Sequence, residues 1–502
     1  MIHTLLVANR GEIAMRVIRA CRDLGVRSVA VYSEADRLAP HVLAADEAHL
    51  LGPAPSSESY LRVDRILDVA RASGAQAVHP GYGFLAEREA FARAVEEAGL
   101  VFVGPEPWTI AAMGDKTEAR RRMRKAGVPI VPGLVDPVGD ADTALALAEE
   151  VGYPLLLKAV AGGGGKGMRV VEEPAALPRA FEAARREATA AFGDGSVYLE
   201  RYLDRPRHVE FQVLGDAHGR VVHLGERECS IQRRHQKLVE EASSPVLTPE
   251  ERETMGRAAV SAAEAVRYRG AGTVEFLYQE GEFYFLEMNT RLQVEHPVTE
   301  LVTGLDLVEW QIRIASGEAL PFSQEDVRLE GHAIECRITA EDARRGFLPS
   351  TGTVEHLVVP QGPGVRWDGG IAEGFEVGLH YDPLLAKLIV YGRDRPSAIR
   401  RMARALDELV IGGVSTCASF HREVMDEPDF REGRLSIRYL EEHPELTDGR
   451  TPAEIVKVAA VTAALLEEEE LSRHRSQRIV DGVGRGGVSP WRAAGWPWAS
   501  GR

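Results

Sequence analysis

The sequence predicts a protein of mixed α/β and α+β class, about three domains long, with a doubly wound first domain. Three observations carry that expectation. At 502 residues the chain is too long for one hydrophobic core, given a prior of roughly 150 residues per domain. Up to about residue 104, short apolar runs alternate with amphipathic stretches, the pattern of βαβ units and a parallel sheet. Beyond Pro129 and Pro132 the texture changes, and several runs alternate apolar and polar residues as half-buried strands do.

Composition narrows the functional classes. The charged and apolar fractions are ordinary for a globular protein, and the net charge of -16 argues against general nucleic-acid or membrane-surface binding. Anionic ligands would need a local basic pocket. Cys21, Cys229, Cys336 and Cys417 are dispersed without a CxxC pair, so neither a disulfide framework nor a zinc site is indicated. No run approaches the ~18 apolar residues of a membrane span, and a soluble cytoplasmic protein is expected. Only seven of the 60 basic residues are lysines (116, 125, 158, 166, 237, 387 and 457). Where arginine serves for generic charge, a lysine marks a place that wants a compact point charge.

Residues 4–8 read as a buried strand, and Ile13, Ala14, Val17, Ile18 and Cys21 follow at helical spacing. Residues 28–32 close a first βαβ unit, and the pattern repeats through 77–84 and 100–104. Asn9-Arg10-Gly11-Glu12 is not a GxGxxG fingerprint, so nothing local supports dinucleotide binding. Gly81 and Gly83 flank Tyr82 beyond a strand end, where open α/β sheets place ligands; a plain turn reads equally well. A small second domain follows, with a helix through Leu145, Leu147 and Ala148 and a strand at 153–158 ending on Lys158. Gly162, Gly163, Gly164 and Gly165 then precede Lys166, Gly167 and Met168. Four consecutive glycines cost backbone entropy, and N–H groups closing over phosphates would justify them better than a linker between two lysines. The spacing is not that of a Walker A loop.

Residues 207–213 alternate, which puts His208, Glu210 and Gln212 on one face. Gln232, Arg233, Arg234, His235 and Lys237 concentrate positive charge in an acidic chain and read as an anion site. Runs 273–277 and 283–286 form a hairpin that leads into residues 287–300. Glu287 and Asn289 share a face there and offer hard oxygen ligands suited to Mg²⁺. Glu275 comes to lie opposite Glu287 if the turn holds three residues or the strand carries an equivalent bulge; a plain two-residue turn separates their faces. Arg291, Gln293 and Glu295 continue the alternation and suit a small anion, with Glu295 as a base. Residues 332–338 place Glu335 and Arg337 on one face, and a helix at 396–409 extends the third domain. Thr451-Pro-Ala-Glu454 is a capping box opening a separate C-terminal helix. Residues 473–502 carry six arginines, one aspartate and three of the six tryptophans, a composition suited to docking. Together the lysines, the glycine loop and the carboxylate–amide site make ATP-dependent phosphoryl transfer to a small anion the leading chemistry. A carboxylate–amine ligase and a nucleotide-binding scaffold are the alternatives.

The runs at 9–14 (NRGEIA), 79–85 (HPGYGFL), 113–116 (MGDK), 162–169 (GGGGKGMR), 232–237 (QRRHQK) and 287–300 (EMNTRLQVEHPVTE) resemble the biotin carboxylase family of ATP-grasp enzymes, over residues 1 to about 445. The resemblance implies an N-terminal doubly wound domain (1–115), an ATP-grasp domain (116–330) with a mobile lid (131–203), a mixed C-terminal domain (331–446), and a helical, basic tail (447–502). It assigns Lys116, Lys158, His208, Gln232, His235, Met168, Lys166 and the glycines 162–165 to ATP, and Glu200, Leu203, Leu277 and Ile437 to the adenine pocket. Glu275, Glu287 and Asn289 would hold Mg²⁺ or Mn²⁺. Lys237, Arg291, Gln293, Val294 and Glu295 would hold bicarbonate, with Glu295 as base; Lys237, Arg291 and Arg337 would complete the catalytic set. Tyr82, Gly83, His235 and Arg337 would meet biotin. The implied reaction passes through carboxyphosphate to carboxylated biotin. No lysine is flanked by methionine in the manner of a biotinyl carrier, so biotin is expected on a separate carrier protein. Carboxyltransferase partners and a homodimer of this chain are expected with it, in an acetyl-CoA carboxylase as the parent complex or, as the alternative, in a pyruvate or other acyl-CoA carboxylase.

Overall fold

Short apolar strands separated by helices wind the N-terminal segment into a five-stranded parallel sheet. In this computed structural model, the described residues are 1–133, 137–160, 168–448, 457, 460–465 and 467–468. Residues 1–447 form one compact unit, and 448–502 a second. Strands β1 (Thr4–Val7), β2 (Arg27–Ser33), β3 (Glu47–Gly52), β4 (Ala77–His79) and β5 (Val101–Phe102) lie in the order β3-β2-β1-β4-β5. The winding direction reverses between β1 and β4, and the crevice beyond their C-terminal ends is where such sheets place ligands. Asn9 follows β1, and its amide donates to the carbonyls of Pro80 (2.7 Å) and Tyr82 (2.8 Å) beyond β4. Gly81, at φ +62°, passes so close that an added Cβ would come within 2.8 Å of the Asn9 amide nitrogen. The Gly81–Gly83 loop is thus part of the crevice rather than an incidental turn.

Strands β6 (Leu155–Ala159), β7 (Met168–Val171) and β8 (Val197–Arg201) make a small antiparallel sheet in the order β7-β6-β8. Helices Ala141–Val151 and Leu177–Phe192 accompany it, and Leu155, Leu157, Val171, Phe181 and Leu199 fill its own core. The largest sheet contains β9 (Arg207–Gly215), β10 (Val221–Arg233), β11 (Gln236–Ala242), β12 (Gly270–Gln279), β13 (Glu282–Asn289), β14 (His332–Thr339), β15 (Val365–Gly369) and β16 (Leu384–Gly392). Their order is β13-β12-β9-β10-β11-β14-β16-β15, every pair antiparallel. Because β14 pairs with β11, one sheet runs without a break from the residues before 330 into those after it.

The β12–β13 hairpin settles the register question. Gln279 pairs with Glu282 across a two-residue turn, Glu280-Gly281, with φ of +54° and +85°. Such a turn alone would pair Glu275 with Leu286. A bulge between Glu275 and Phe276 shifts the count by one, and Glu275 faces Glu287. The expected shared face is reached through the bulge, not a longer turn. Among the described residues no helix is long and apolar enough to cross a membrane, and all four cysteines are buried and free. The predicted glycine loop (162–165, with Lys166), the capping box at 451–454 and the tryptophan-rich end lie outside the described residues.

Candidate active site

Four neighbouring strands bring charges into one row. Register pairs Glu287 on β13 with Glu275 on β12, Glu275 with Glu210 on β9, and Glu210 with Arg227 on β10. Three carboxylates side by side on one sheet face repel unless cations intervene. Lys237, at the start of β11, supplies one: its Nζ binds Glu210, Glu275 Oε1 (2.9 Å) and Glu295 Oε1 (2.7 Å). Burial alone would lower the Lys237 pKa, but the three carboxylates raise it well above its usual value. Arg227 is fully buried and uses all five N–H donors: Nε to Glu210 (2.6 Å), one terminal nitrogen to Gln212 (2.7 Å) and Thr299 (3.0 Å), the other to Thr273 (3.0 Å) and Gln293 (2.6 Å).

Glu275 Oε1 also accepts from Asn289 and Gln293, each at 2.8 Å, and His208 Nε2 lies 3.2 Å from its other oxygen. Burial would raise the Glu275 pKa, yet Lys237 and His208 hold it well below the usual carboxylate range. His208 is buried. Burial disfavours its charged form, but Glu275 and Glu210 together outweigh it and bring its pKa to about 9. Glu287, at the end of the row, is the exception. Desolvation and then Glu275 raise its pKa, and its side chain opens to a cavity. Two facing carboxylates, of which Glu287 has no ion-pair partner among the described residues, form a donor set that a hard divalent cation would relieve. The Asn289 carbonyl oxygen is directed at Arg291, which donates to it at 3.0 Å; it meets a cation on the Glu287 side only by sharing or exchanging that bond.

Past β13 the alternation continues through the loop. Arg291 binds Glu87 (2.8 Å), and Gln293 is held between Arg227 and Glu275. Both oxygens of Glu295 are engaged, Oε1 by Lys237 and Oε2 by Arg337 at 2.8 Å. Burial would raise its pKa, and Lys237 leads the interactions that lower it instead. Arg337 on β14 also donates to Glu240 at 2.6 Å. The Gln293 carbonyl accepts from the His296 backbone N–H and from its ring Nδ1 (2.8 Å). In a trans peptide the N–H points opposite the C=O, so the Val294 N–H faces away from His296.

A cavity of about 240 Å³ lies beside this row, lined among others by Lys116, Lys158, Arg120, Glu200, Glu287 and Asn289. Lys158 and Arg120 both bind Glu200, at 2.8 and 2.7 Å. Burial lowers the Lys116 pKa; Glu287 opposes that and Lys158 adds to it. Met168 starts β7 directly opposite Lys158. Gln232 pairs with Lys237 across the β10–β11 hairpin, whose turn, Arg234-His235, has positive φ at both positions. His235 lies at that tip, exposed on one side, and partial desolvation, Lys158 and His208 lower its pKa. Leu277 pairs with His208, and the Ile437 N–H donates to Pro206, so these half-buried apolar residues and Leu203 gather at one end of β9. Tyr82 hydrogen-bonds Glu12, not Arg337 or His235. Residues the sequence reasoning left out of the site are Arg227, Glu210, Glu87 and Glu240. Only Glu210 carried a signal, its alternation with His208.

Family comparisons agree with this architecture. Residues 1–110 match the N-terminal domain of biotin carboxylase, 115–323 the ATP-binding domain of the carbamoyl-phosphate synthase L chain, and 335–442 the biotin carboxylase C-terminal domain. The biotin carboxylase of Haemophilus influenzae is 52% identical over 442 residues, 88% of this chain and 98% of that protein. The chain belongs to the biotin carboxylase family. It is accordingly an ATP-dependent ligase. Another relative, one of the pyruvate carboxylase subunits of Methanothermobacter thermautotrophicus, is 53% identical over 479 residues, 95% of this chain and 97% of that one. Among solved biotin carboxylase structures, the biotin carboxylase domain dimer of Hydrogenobacter thermophilus 2-oxoglutarate carboxylase, in complex with MgADP, ADP and bicarbonate, superposes with a TM-score of 0.84. It is 52% identical and covers 90% of this chain and 100% of its own. A Campylobacter jejuni biotin carboxylase structure gives 0.85 at 46% identity, covering 88% and 99%.

Proposed function

We propose that the site carboxylates biotin on a separate carrier protein, using ATP and bicarbonate, as the first half-reaction of a multisubunit carboxylase. The observation that carries this reading is the placement of Glu295, an ionised carboxylate held between Lys237 and Arg337, beside the Glu275–Glu287 pair. Glu275 and Glu287, with Asn289, would hold Mg²⁺, which neutralises charge on the transferring phosphoryl group when bound. Lys116, Lys158, Met168, His208, Gln232 and His235 would surround the phosphates, together with Gly162–Gly165 and Lys166. Glu200, Leu203, Leu277 and Ile437 would take the adenine. Closure of residues 131–203 over the cavity would exclude water from a reactive acyl phosphate.

Lys237, Arg291, Gln293 and the Val294 N–H would orient bicarbonate against Glu295. With both oxygens bonded, Glu295 is a weak base at rest. An incoming anion that takes over the Lys237 or Arg337 donor frees an oxygen and raises its basicity as the proton arrives. Arg337, with Tyr82, Gly83 and His235, would then face the biotin ureido group and stabilise its enolate. The dimer described for the Hydrogenobacter domain is proposed for this chain as well.

Acetyl-CoA is the acceptor expected from the sequence. Pyruvate is a second reading, supported by the 479-residue match to the archaeal pyruvate carboxylase chain, against 442 for the Haemophilus biotin carboxylase. The test of the core reading is bicarbonate-dependent ATP cleavage stimulated by free biotin, abolished in Glu295→Ala. Turnover without stimulation, or an unaffected variant, overturns it. The native complex, purified by affinity and offered acetyl-CoA, pyruvate or 2-oxoglutarate, decides the acceptor.

A further inference from the structure

Lys387 is the buried lysine for which the site reading has no use. It lies on β16 opposite Arg337 of β14, with no exposed surface. Its Nζ donates to the Val294 carbonyl at 2.9 Å, lies 3.2 Å from Glu12 Oε2 and 3.9 Å from Asp368. The other oxygen of Glu12 accepts the Tyr82 hydroxyl. Gly370 lets the chain after β15 press against this corner: a Cβ there would fall 2.6 Å from the Glu12 backbone nitrogen. A continuous path, buried at Glu12 and Lys387 and half-buried at its ends, therefore runs Tyr82–Glu12–Lys387–Val294, from the switch-point loop of the first sheet to the loop bearing Glu295.

We infer that Lys387 and Glu12 are positioning residues for the anion loop, fixing the Val294–Glu295 peptide from behind and tying it to the Tyr82 loop. The inference rests on the bicarbonate reading above. Its physical basis is the antiparallel setting of C=O and N–H across a trans peptide. Lys387 draws the Val294 carbonyl toward β16, so the Glu295 N–H must face the opposite side. The Gln293 carbonyl, turned to His296, does the same for the Val294 N–H. Among the described residues neither N–H has an acceptor. Successive free N–H groups of this kind form an anion-binding concavity, and Lys387 holds one of the two planes that aim it. A compact ammonium reaches a carbonyl, Glu12 and Asp368 from one atom, which a planar guanidinium does not. Glu12 acts one step further back, by holding the ammonium in place and joining it to Tyr82.

Lys387→Met and Glu12→Gln separate this role from general stability. In the full-length enzyme we measure ADP affinity, KM for bicarbonate and kcat in biotin-stimulated ATP cleavage. Loss of one charge-assisted hydrogen bond at the loop is expected to raise the bicarbonate KM about tenfold in Lys387→Met, with ADP affinity unchanged. Glu12→Gln keeps an acceptor for Tyr82 and is expected to give a smaller rise in the same constant. The double variant is expected to match Lys387→Met alone, since both act through one ammonium. A bicarbonate KM at the wild-type value, or equal losses of ADP and bicarbonate affinity, in either variant overturns the inference, as does an additive double variant. If Lys387→Met does not fold, the Glu12→Gln constants alone decide. Absence of bicarbonate-dependent turnover in the wild type refutes the functional reading instead.

Discussion

Replacing Arg227 with lysine keeps the charge and removes the geometry. Arg227 satisfies five acceptors with five donors in a wholly buried setting. Lysine has three donors, so at least two acceptors lose their partner. At about 1–3 kcal/mol for each buried group left unmet, the loss comes to about 2–6 kcal/mol. Glu210 keeps Lys237, so the cost reflects the lost bonds and not a stranded carboxylate. The acceptors most exposed to loss are those on the terminal nitrogens, Gln212, Thr273, Thr299 and Gln293. Gln293 also bonds Glu275, and once released it lets the anion loop drift. The unfolding free energy of Arg227→Lys, from urea titration read by tryptophan fluorescence, is expected to fall by that amount, lowering the urea midpoint in proportion, and the bicarbonate KM of the protein that remains folded is expected to rise. An unchanged midpoint would refute the view that this arginine holds the sheet and loop together through its bond count.

Glu287→Gln removes the like charge facing Glu275, so the ligand-free protein is expected to melt higher while the thermal shift on adding MgADP shrinks; a full MgADP shift would exclude Glu287 as a metal ligand. Burial depresses His41 and His79 to about 4 from 6.5. The unfolded chain therefore binds protons that the folded one refuses, and stability falls as pH drops from about 6.5 to about 4, by about 3 kcal/mol for each histidine. Urea midpoints at pH 7 and pH 4.5 check this, and His41→Gln with His79→Gln should flatten the difference. Glu12 has the opposite sign: burial raises it to about 7 from 4.5, so its contribution is lost as pH rises through that window, and Glu12→Gln is expected to gain relative stability at pH 8.

Strand parity was legible because one face of each strand meets the site. His208 and Glu210 on β9, Glu287 and Asn289 on β13, and Glu335 and Arg337 on β14 each take the shared face that alternation requires. The bulge in the middle of β13 was not legible, since Phe283, Tyr284, Phe285 and Leu286 are apolar on both faces and hide any change of phase. Arg227 was invisible for a related reason. In the run Glu226-Arg227-Glu228, Glu226 is held by Arg252, and Glu228 accepts from Ser244 and Arg207. A central strand with polar partners on both faces offers no hydrophobic period against which one charge stands out. Scarcity of lysine was a second guide beside the motif at 287–300. Lys158, Lys237 and Lys387 each end at a point where one nitrogen answers a carboxylate or several oxygens. Arg227 solves the converse problem, one planar group answering acceptors spread around its rim. Lysine and arginine are divided here by the shape of the anionic surroundings, so exchanging them at Lys237 or Arg227 conserves charge and loses the site.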